Sequence, residues 1–270
     1  MNFLHSLAAA PRAADPLSLV NALILGIVEG LTEFLPVSST AHLILASHIL
    51  KLTETEFLKS FQIIIQLGAI LSVVVLYWSK FWNRDIFTKL VVAFIPTGII
   101  GLTVYKALKS YLLGNLTVIL WALLIGGIAL LVFERFKQHS DAEADFGEIT
   151  FGKALAIGLF QAIAIVPGVS RSAATIVGGS LIGISKRTIV EFSFMLAVPT
   201  MLAASALELF KNHSALSQGA AALAVGFIVS FVMAIVAIKS FLGFIKNRNF
   251  TAFGWYRIVL AVVYYFAFVK

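Results

Sequence analysis

The chain contains no cysteine, which excludes a disulfide framework and any thiolate metal site. Charge is scarce as well: 12% of the 270 residues are Asp, Glu, Lys or Arg, against 60% that are hydrophobic. With a mean hydropathy of +0.99, so little charge excludes a water-soluble domain and leaves an integral membrane protein. Basic residues outnumber acidic ones, 20 to 13, and the pI is near 9.7. In a soluble chain that balance would point to nucleic acid. Here the basic residues sit mostly in short connections between apolar runs, where anionic headgroups are the expected counterions. The N-terminal "MNFLHSLAAAPRAADP" lacks the basic start and sustained apolar core of a secretory signal, and reads as an unprocessed, interfacial leader.

What the chain does have is apolar runs of spanning length, about twenty residues each. They cover Phe57 to Trp78, Phe87 to Tyr105, Leu116 to Phe133, Thr188 to Phe210, Gly219 to Ile238 and Thr251 to Val269. Two further apolar regions, about 16–50 and 151–185, are interrupted by "LPVSST" and "VPGVSRS". Each reads as a helix, a break and a second helix, the pattern of a re-entrant hairpin. Broken backbone at membrane depth needs protein or water around its freed N–H and C=O groups, so the breaks point to a cavity.

The interrupted regions also match one another. "GIVEGLTEFLPVSSTAHL" from Gly26 lies on "GLFQAIAIVPGVSRSAATI" from Gly158, pairing Glu29 with Gln161, Pro36 with Pro167 and Ser39 with Ser170. The expected fold is therefore an all-α integral membrane protein, with six transmembrane helices and two re-entrant hairpins. It forms one polytopic domain over 1–270, built of inverted repeats at about 16–134 and 151–270. Three spans separate the hairpins, so they enter from opposite faces and their tips meet. More basic residues fall on the side of Lys80, Arg84, Arg135, Lys186 and Lys246 than on the side of Arg12, Lys51, Lys59, Lys109 and Lys270. That bias makes the first side cytoplasmic. The polar stretch Phe136 to Thr150 reads as a solvated linker between the halves.

Ionised groups at the bilayer centre cost about 2.5–3.5 kcal/mol each on insertion scales, so those present must be paired or hydrated. Glu29 and Glu33 stand four apart on one helical face, where like charges repel. Two carboxylates so placed fit a hard cation, Mg2+ or Ca2+, or a pair in which one stays protonated; the structural alternative is hydration at a helix end. Pro36 ends that helix, and Ser38, Ser39 and Thr40 follow where the chain turns, as N-caps or as reacting hydroxyls. His42 comes next, a candidate proton carrier. "PGVSRSAAT", Pro167 to Thr175, supplies the opposing cluster. Gly168 allows close approach of a ligand, Ser170 and Ser172 offer hydroxyls, a helix start favours an anion, and Arg171 brings a planar fork suited to phosphate oxygens. Its structural alternative is an ion pair with Glu29, Glu33 or Glu191. Gln66 and Gln161 read as interhelical hydrogen-bonders, Glu191 as orienting Arg171 or lining the cavity, Pro96 and Pro199 as kinks, and the phenylalanines as lipid-facing bulk.

The ordered pair "EGLTEFLPVSSTAH" and "PGVSRSAAT", with "IIIQLGAIL", "EFSFMLAVP" and a C-terminal "YR", closely resembles the undecaprenyl-diphosphate phosphatase family of bacitracin-resistance membrane proteins, over essentially the whole chain. Ala41 and Ala173 stand where glycine is common in that family. The resemblance implies a hydrolase of the bacterial inner membrane, with its active site open to the outer side. It would convert undecaprenyl diphosphate to undecaprenyl phosphate and phosphate, recycling the carrier for peptidoglycan synthesis, cell-wall biogenesis and cell shape, and conferring bacitracin resistance. It also implies catalytic roles for Glu29, Glu33, Ser39, His42 and Arg171, phosphate binding by Ser38, Thr40, Ser170, Arg171, Ser172 and Thr175, and a divalent cation on Glu29 and Glu33. The nucleophile stays open between Ser39, Ser170 and water. Undecaprenyl diphosphate and membrane lipid are the expected partners, a homodimer is compatible with the sequence, and nucleic acid is not expected. The competing class is an inverted-repeat transporter that flips a lipid phosphate without hydrolysing it.

Overall fold

A computed structural model describes residues 17–107, 115–136, 144–211 and 219–270. The leader over 1–16, with Arg12, and the connections holding Lys109 and Lys137 lie outside them. The described chain is helical: α1 (Leu19–Thr32), α2 (Ser39–Ile49), α3 (Glu56–Leu76), the single turn α4 (Trp78–Phe81), α5 (Arg84–Ala107), α6 (Leu116–Phe136), α7 (Phe151–Ile163), α8 (Arg171–Leu181), α9 (Lys186–Lys211), α10 (Ala220–Asn247) and α11 (Thr251–Tyr264). Among the described residues, six segments are long and apolar enough to cross a membrane: Glu56–Leu76, Arg84–Val104, Leu116–Phe136, Lys186–Ala206, Ala220–Asn247 and Thr251–Val269. Each overlaps one of the six expected spans, and Ala220–Asn247 runs on past the expected end at Ile238. At a rise of about 1.5 Å per residue, α1 and α7 reach only about 20 Å, well short of the roughly 30 Å hydrocarbon layer.

Hydroxyl caps mark where the sequence starts its helices. Ser18, Thr55 and Thr150 accept from Asn21, Leu58 and Lys153 main-chain N–H groups, each satisfying a donor that the first turn leaves orphaned. Small residues then allow close packing. A Cβ on Gly26 would lie 2.8 Å from the Gly226 carbonyl oxygen, and one on Gly30 2.5 Å from that of Ser230, so α1 lies against α10 and runs in its direction. Similarly, a Cβ on Gly158 would lie 2.1 Å from the Ala93 oxygen. Gln161, one turn on, donates to Thr97 at 2.9 Å, so α7 runs along α5 in the same sense. Helices α3 and α9 pack together at the centre. Phe34, Phe192 and Phe194 are fully buried there, Phe34 meeting Phe194 edge-on at 5.4 Å. On the outside Trp82, Ile99, Ile125, Ile228 and Phe266 are exposed. The buried Phe34, Phe192 and Phe194 depart from the expectation that the phenylalanines are lipid-facing bulk, because the centre of the bundle needs large apolar side chains to fill it.

The stretch before α7 departs from a simple solvated linker. Phe146 is buried, and its carbonyl accepts from Lys89 Nζ at 3.2 Å. Asp145 N–H donates to Thr188 at 2.9 Å, and Glu148 accepts from Ser185 N–H at 2.7 Å. The end of the linker is thus docked on the start of α9 through the Asp145 main chain and the Glu148 carboxylate, and tied to α5 by Lys89.

Candidate active site

Two breaks and two helix starts build the site. The chain leaves α1 after Thr32, turns through Leu35 to Val37, and re-enters a helix at Ser39; it leaves α7 after Ile163 and re-enters at Arg171. The residue before each second helix is a serine at positive φ, Ser38 at 72° and Ser170 at 79°. Such a conformation costs a non-glycine residue of order 1–3 kcal/mol and persists only where its surroundings impose it. Both serines also cap: Ser38 Oγ accepts from Ala41 N–H at 3.4 Å, and Ser170 Oγ from Ala173 N–H at 3.2 Å.

The tips meet. Arg171 Nη2 donates to Glu33 Oε1 at 3.0 Å, and the pair is almost buried, with 12% and 5% of the side chains exposed. The other oxygen, Glu33 Oε2, accepts a short hydrogen bond from the Ser39 hydroxyl. Arg171 Nη1 donates to the Ser193 carbonyl at 2.6 Å, its guanidinium lies 5.7 Å from the Phe34 ring, and its Nε is buried with no hydrogen-bond partner. Ser172 crosses to the other tip, donating to the Leu35 carbonyl at 2.7 Å. Above this cluster opens a cavity of about 440 Å³. Glu33, Ser38, Ser39, Thr40, Ser170 and Arg171 line it on one side, with Gln66, Thr97, Gln161 and Thr200 nearby; Phe94, Leu102, Ile165 and Met201 form its apolar wall. Its volume is that of a small-molecule site, and both second helices begin at it, their N-terminal dipoles favouring an anion.

The remaining predicted residues stand behind the wall. Thr175, fully buried, bonds Ser193 Oγ at 2.6 Å and main-chain carbonyls of its own helix. His42 Nδ1 lies 2.7 Å from the Ser38 carbonyl, which can only accept, so the ring donates there. In the neutral ring Nε2 is then left to accept from the Tyr256 hydroxyl, also at 2.7 Å. Both nitrogens of His42 are therefore engaged away from Ser39. Glu191 pairs with Arg187 at 3.1 Å rather than with Arg171. Gly168, at φ 95°, makes room for α6 and not for a ligand alone: a Cβ there would lie 2.8 Å from the Ala122 methyl and 2.9 Å from the Ile119 oxygen.

Glu29 is fully buried, and neither carboxylate oxygen has a hydrogen-bond partner. An ionised carboxylate left so would cost several kcal/mol; the position calls for a proton or a cation. Among the described residues no cluster of three or more acidic, histidine or cysteine side chains is assembled to hold a metal. A bound ion would therefore complete its shell with water and phosphate oxygens, as Mg2+ commonly does.

The profile of the family described as "Bacitracin resistance protein BacA" matches residues 22–263. The chain belongs to this family. Proteins named "Undecaprenyl-diphosphatase" are similar over nearly their full lengths. That of Aquifex aeolicus is 47% identical over 90% of this chain and 96% of its own, that of Sulfurihydrogenibium sp. 48% over 91% and 98%, and that of Wolinella succinogenes 47% over 93% and 98%.

This BacA-family site also uses residues that sequence reasoning did not place in it. Ser193 accepts from Arg171 and bonds Thr175, Tyr256 holds His42, and Arg257 binds the main chain of both breaks. For Arg257 a signal existed. A charge inside an apolar span is functional by default, and it lies in the "YR" segment.

Proposed function

We propose that this chain is a membrane phosphatase that hydrolyses undecaprenyl diphosphate to undecaprenyl phosphate and inorganic phosphate. It thereby recycles the lipid carrier for peptidoglycan synthesis and contributes to the bacitracin resistance by which its family is described. Relatives bearing the name undecaprenyl-diphosphatase support the reaction. The observation that carries it is the relay at the cavity floor, where the Ser39 hydroxyl is bonded to Glu33 and Glu33 to Arg171.

In this reading Ser39 Oγ attacks the terminal phosphorus and its proton passes to Glu33 Oε2, the acceptor it already faces. The bond to the bridging oxygen breaks, and undecaprenyl phosphate leaves with the electron pair. Water then attacks the phosphoserine, releasing phosphate and restoring the hydroxyl. Arg171 offers its unpartnered Nε to the equatorial oxygens while its Nη groups keep Glu33 and Ser193 in place, and Ser38, Thr40 and Ser170 hold the phosphates at the two helix starts. Ser172 and Thr175 act behind them by fixing the tip and Ser193. His42 supports the main chain of the first tip. Glu29, with Glu33, is the site for Mg2+ or Ca2+, which when bound would neutralise phosphate charge. The diphosphate fills the polar side of the cavity and the first isoprene units its apolar wall.

The same reading takes the fold as an inverted repeat of two re-entrant hairpins. In its support, α1 runs along α10 and α7 along α5 through matching glycines, Gly26 and Gly158. Ser170 is matched in conformation by Ser38, one residue before the Ser39 with which the sequence alignment pairs it: both have a positive φ and both cap the helix that follows. Cavity-lining residues run from Phe94 onward in α5 and from Thr200 onward in α9, away from the basic starts at Arg84 and Lys186. With that basic side cytoplasmic in the bacterial inner membrane, the cavity opens outward. Purified protein in detergent, where no compartments exist, is expected to release phosphate from undecaprenyl diphosphate; binding without release would identify a carrier.

A further inference from the structure

Arg257 lies in the middle of α11, inside an apolar span, and is fully buried. Its guanidinium has five N–H groups, and each meets a main-chain carbonyl. Nε donates to Leu123 at 3.3 Å, Nη1 to Pro36 at 3.2 Å and Val169 at 2.9 Å, and Nη2 to Ala122 and Gly168, both at 2.9 Å. Two of the acceptors belong to α6; the other three belong to the breaks, one in the first and two in the second. Broken helices leave carbonyls without intrahelical donors, and one planar fork supplies them on both tips at once. Gly126 makes the space: a Cβ there would lie 2.0 Å from Nη2 and 2.6 Å from Cζ.

We propose that Arg257 is the positioning residue that fixes the two tips against each other, setting the place of Ser39 and Glu33 on one relative to Arg171 on the other. It touches no reacting atom. Pro36 is three residues before Ser39, and Val169 two before Arg171, so a change at the clamp displaces the nucleophile relative to the phosphate-binding arginine. A misplacement of that kind slows chemistry by about a hundredfold while removing none of the groups that bind the diphosphate. The inference rests on the phosphatase reading. Phosphate release by the wild type tests that reading, and the ratio of the variants to the wild type tests the clamp.

Arg257→Lys keeps the charge but has three donors and no planar fork; Gly126→Ala removes no group and drives the guanidinium out. In the monodisperse detergent-purified fraction of each, steady-state phosphate release is expected to show kcat lower by about a hundredfold, with KM within about threefold of wild type. The double variant should be no slower than the slower single, because both changes break one unit. A kcat near wild type in Gly126→Ala, losses that multiply in the double variant, or a defect carried by KM would each overturn the proposal. If Arg257→Lys yields no monodisperse protein, the kcat and KM of Gly126→Ala decide alone.

Discussion

Arg171 shows how one side chain can hold an ion pair and still keep a donor for a ligand. Its Nη groups are spent on Glu33 and Ser193 while its Nε, buried and without a partner, is left for a ligand. A lysine would keep the charge, yet it cannot hold a carboxylate, a carbonyl and a phosphate together, and its ammonium is more strongly hydrated. Arg171→Lys is therefore expected to fold and to lose about a hundredfold or more in turnover. Phosphate release at the wild-type rate would reduce the residue to a structural counter-charge. Much of this site was legible beforehand. Physical cost marks Glu29, Glu33 and Arg171 as charges in lipid-fit runs, whereas Ser39 stands level in sequence with Ser38 and Thr40 as a helix cap. The division between cavity wall and support was not legible, because Thr175 and Ser172 look identical in sequence to hydroxyls that face a ligand. Their partners, Ser193 and the Leu35 carbonyl, come from segments distant in the chain. Which way His42 points was equally hidden, since Tyr256 lies over two hundred residues away.

At the scale of elements, hydropathy located the six long helices, for burial in lipid imposes length and composition directly; the polar end of α10, which continues past Ile238 to Asn247, was not included. Breaks were legible through Pro36 and Pro167 with their hydroxyl clusters. What the sequence concealed was contact between helices, which depends on a few small residues whose partners are unspecified. Gly30 is the sharpest case: a methyl group there would meet the Ser230 oxygen at 2.5 Å and the Ala234 nitrogen at 2.9 Å, both main chain and unable to step aside. Gly30→Ala should force α1 away from α10 and carry Glu29 and Glu33 with it. The expected cost is about 1–3 kcal/mol, as for overpacking elsewhere. A fall in the thermal unfolding midpoint in detergent, accompanied by lost turnover, checks it; an unchanged midpoint would show that the helices separate freely there.

The molecule as a whole brings two helix–break–helix units together at one cavity, with exposed apolar side chains around them. Buried Glu29, lacking hydrogen-bond partners, sits next to Glu33, and this juxtaposition is why a divalent ion is proposed. EDTA is expected to abolish phosphate release and added Mg2+ or Ca2+ to restore it; full activity in chelator would leave the pair only a proton-handling role. The central claim is that Ser39 attacks phosphorus with Glu33 as its base, and it is tested most directly by phosphate release from undecaprenyl diphosphate by purified Ser39→Ala beside Ser38→Ala. Loss of the Ser38 cap costs about 0.5–2 kcal/mol of local stability and should leave substantial turnover. Loss of the Ser39 hydroxyl removes the bond-forming atom, so turnover should fall about a thousandfold or more while the lipid diphosphate still binds. Substantial phosphate release by Ser39→Ala would contradict the covalent route and assign the attack to water.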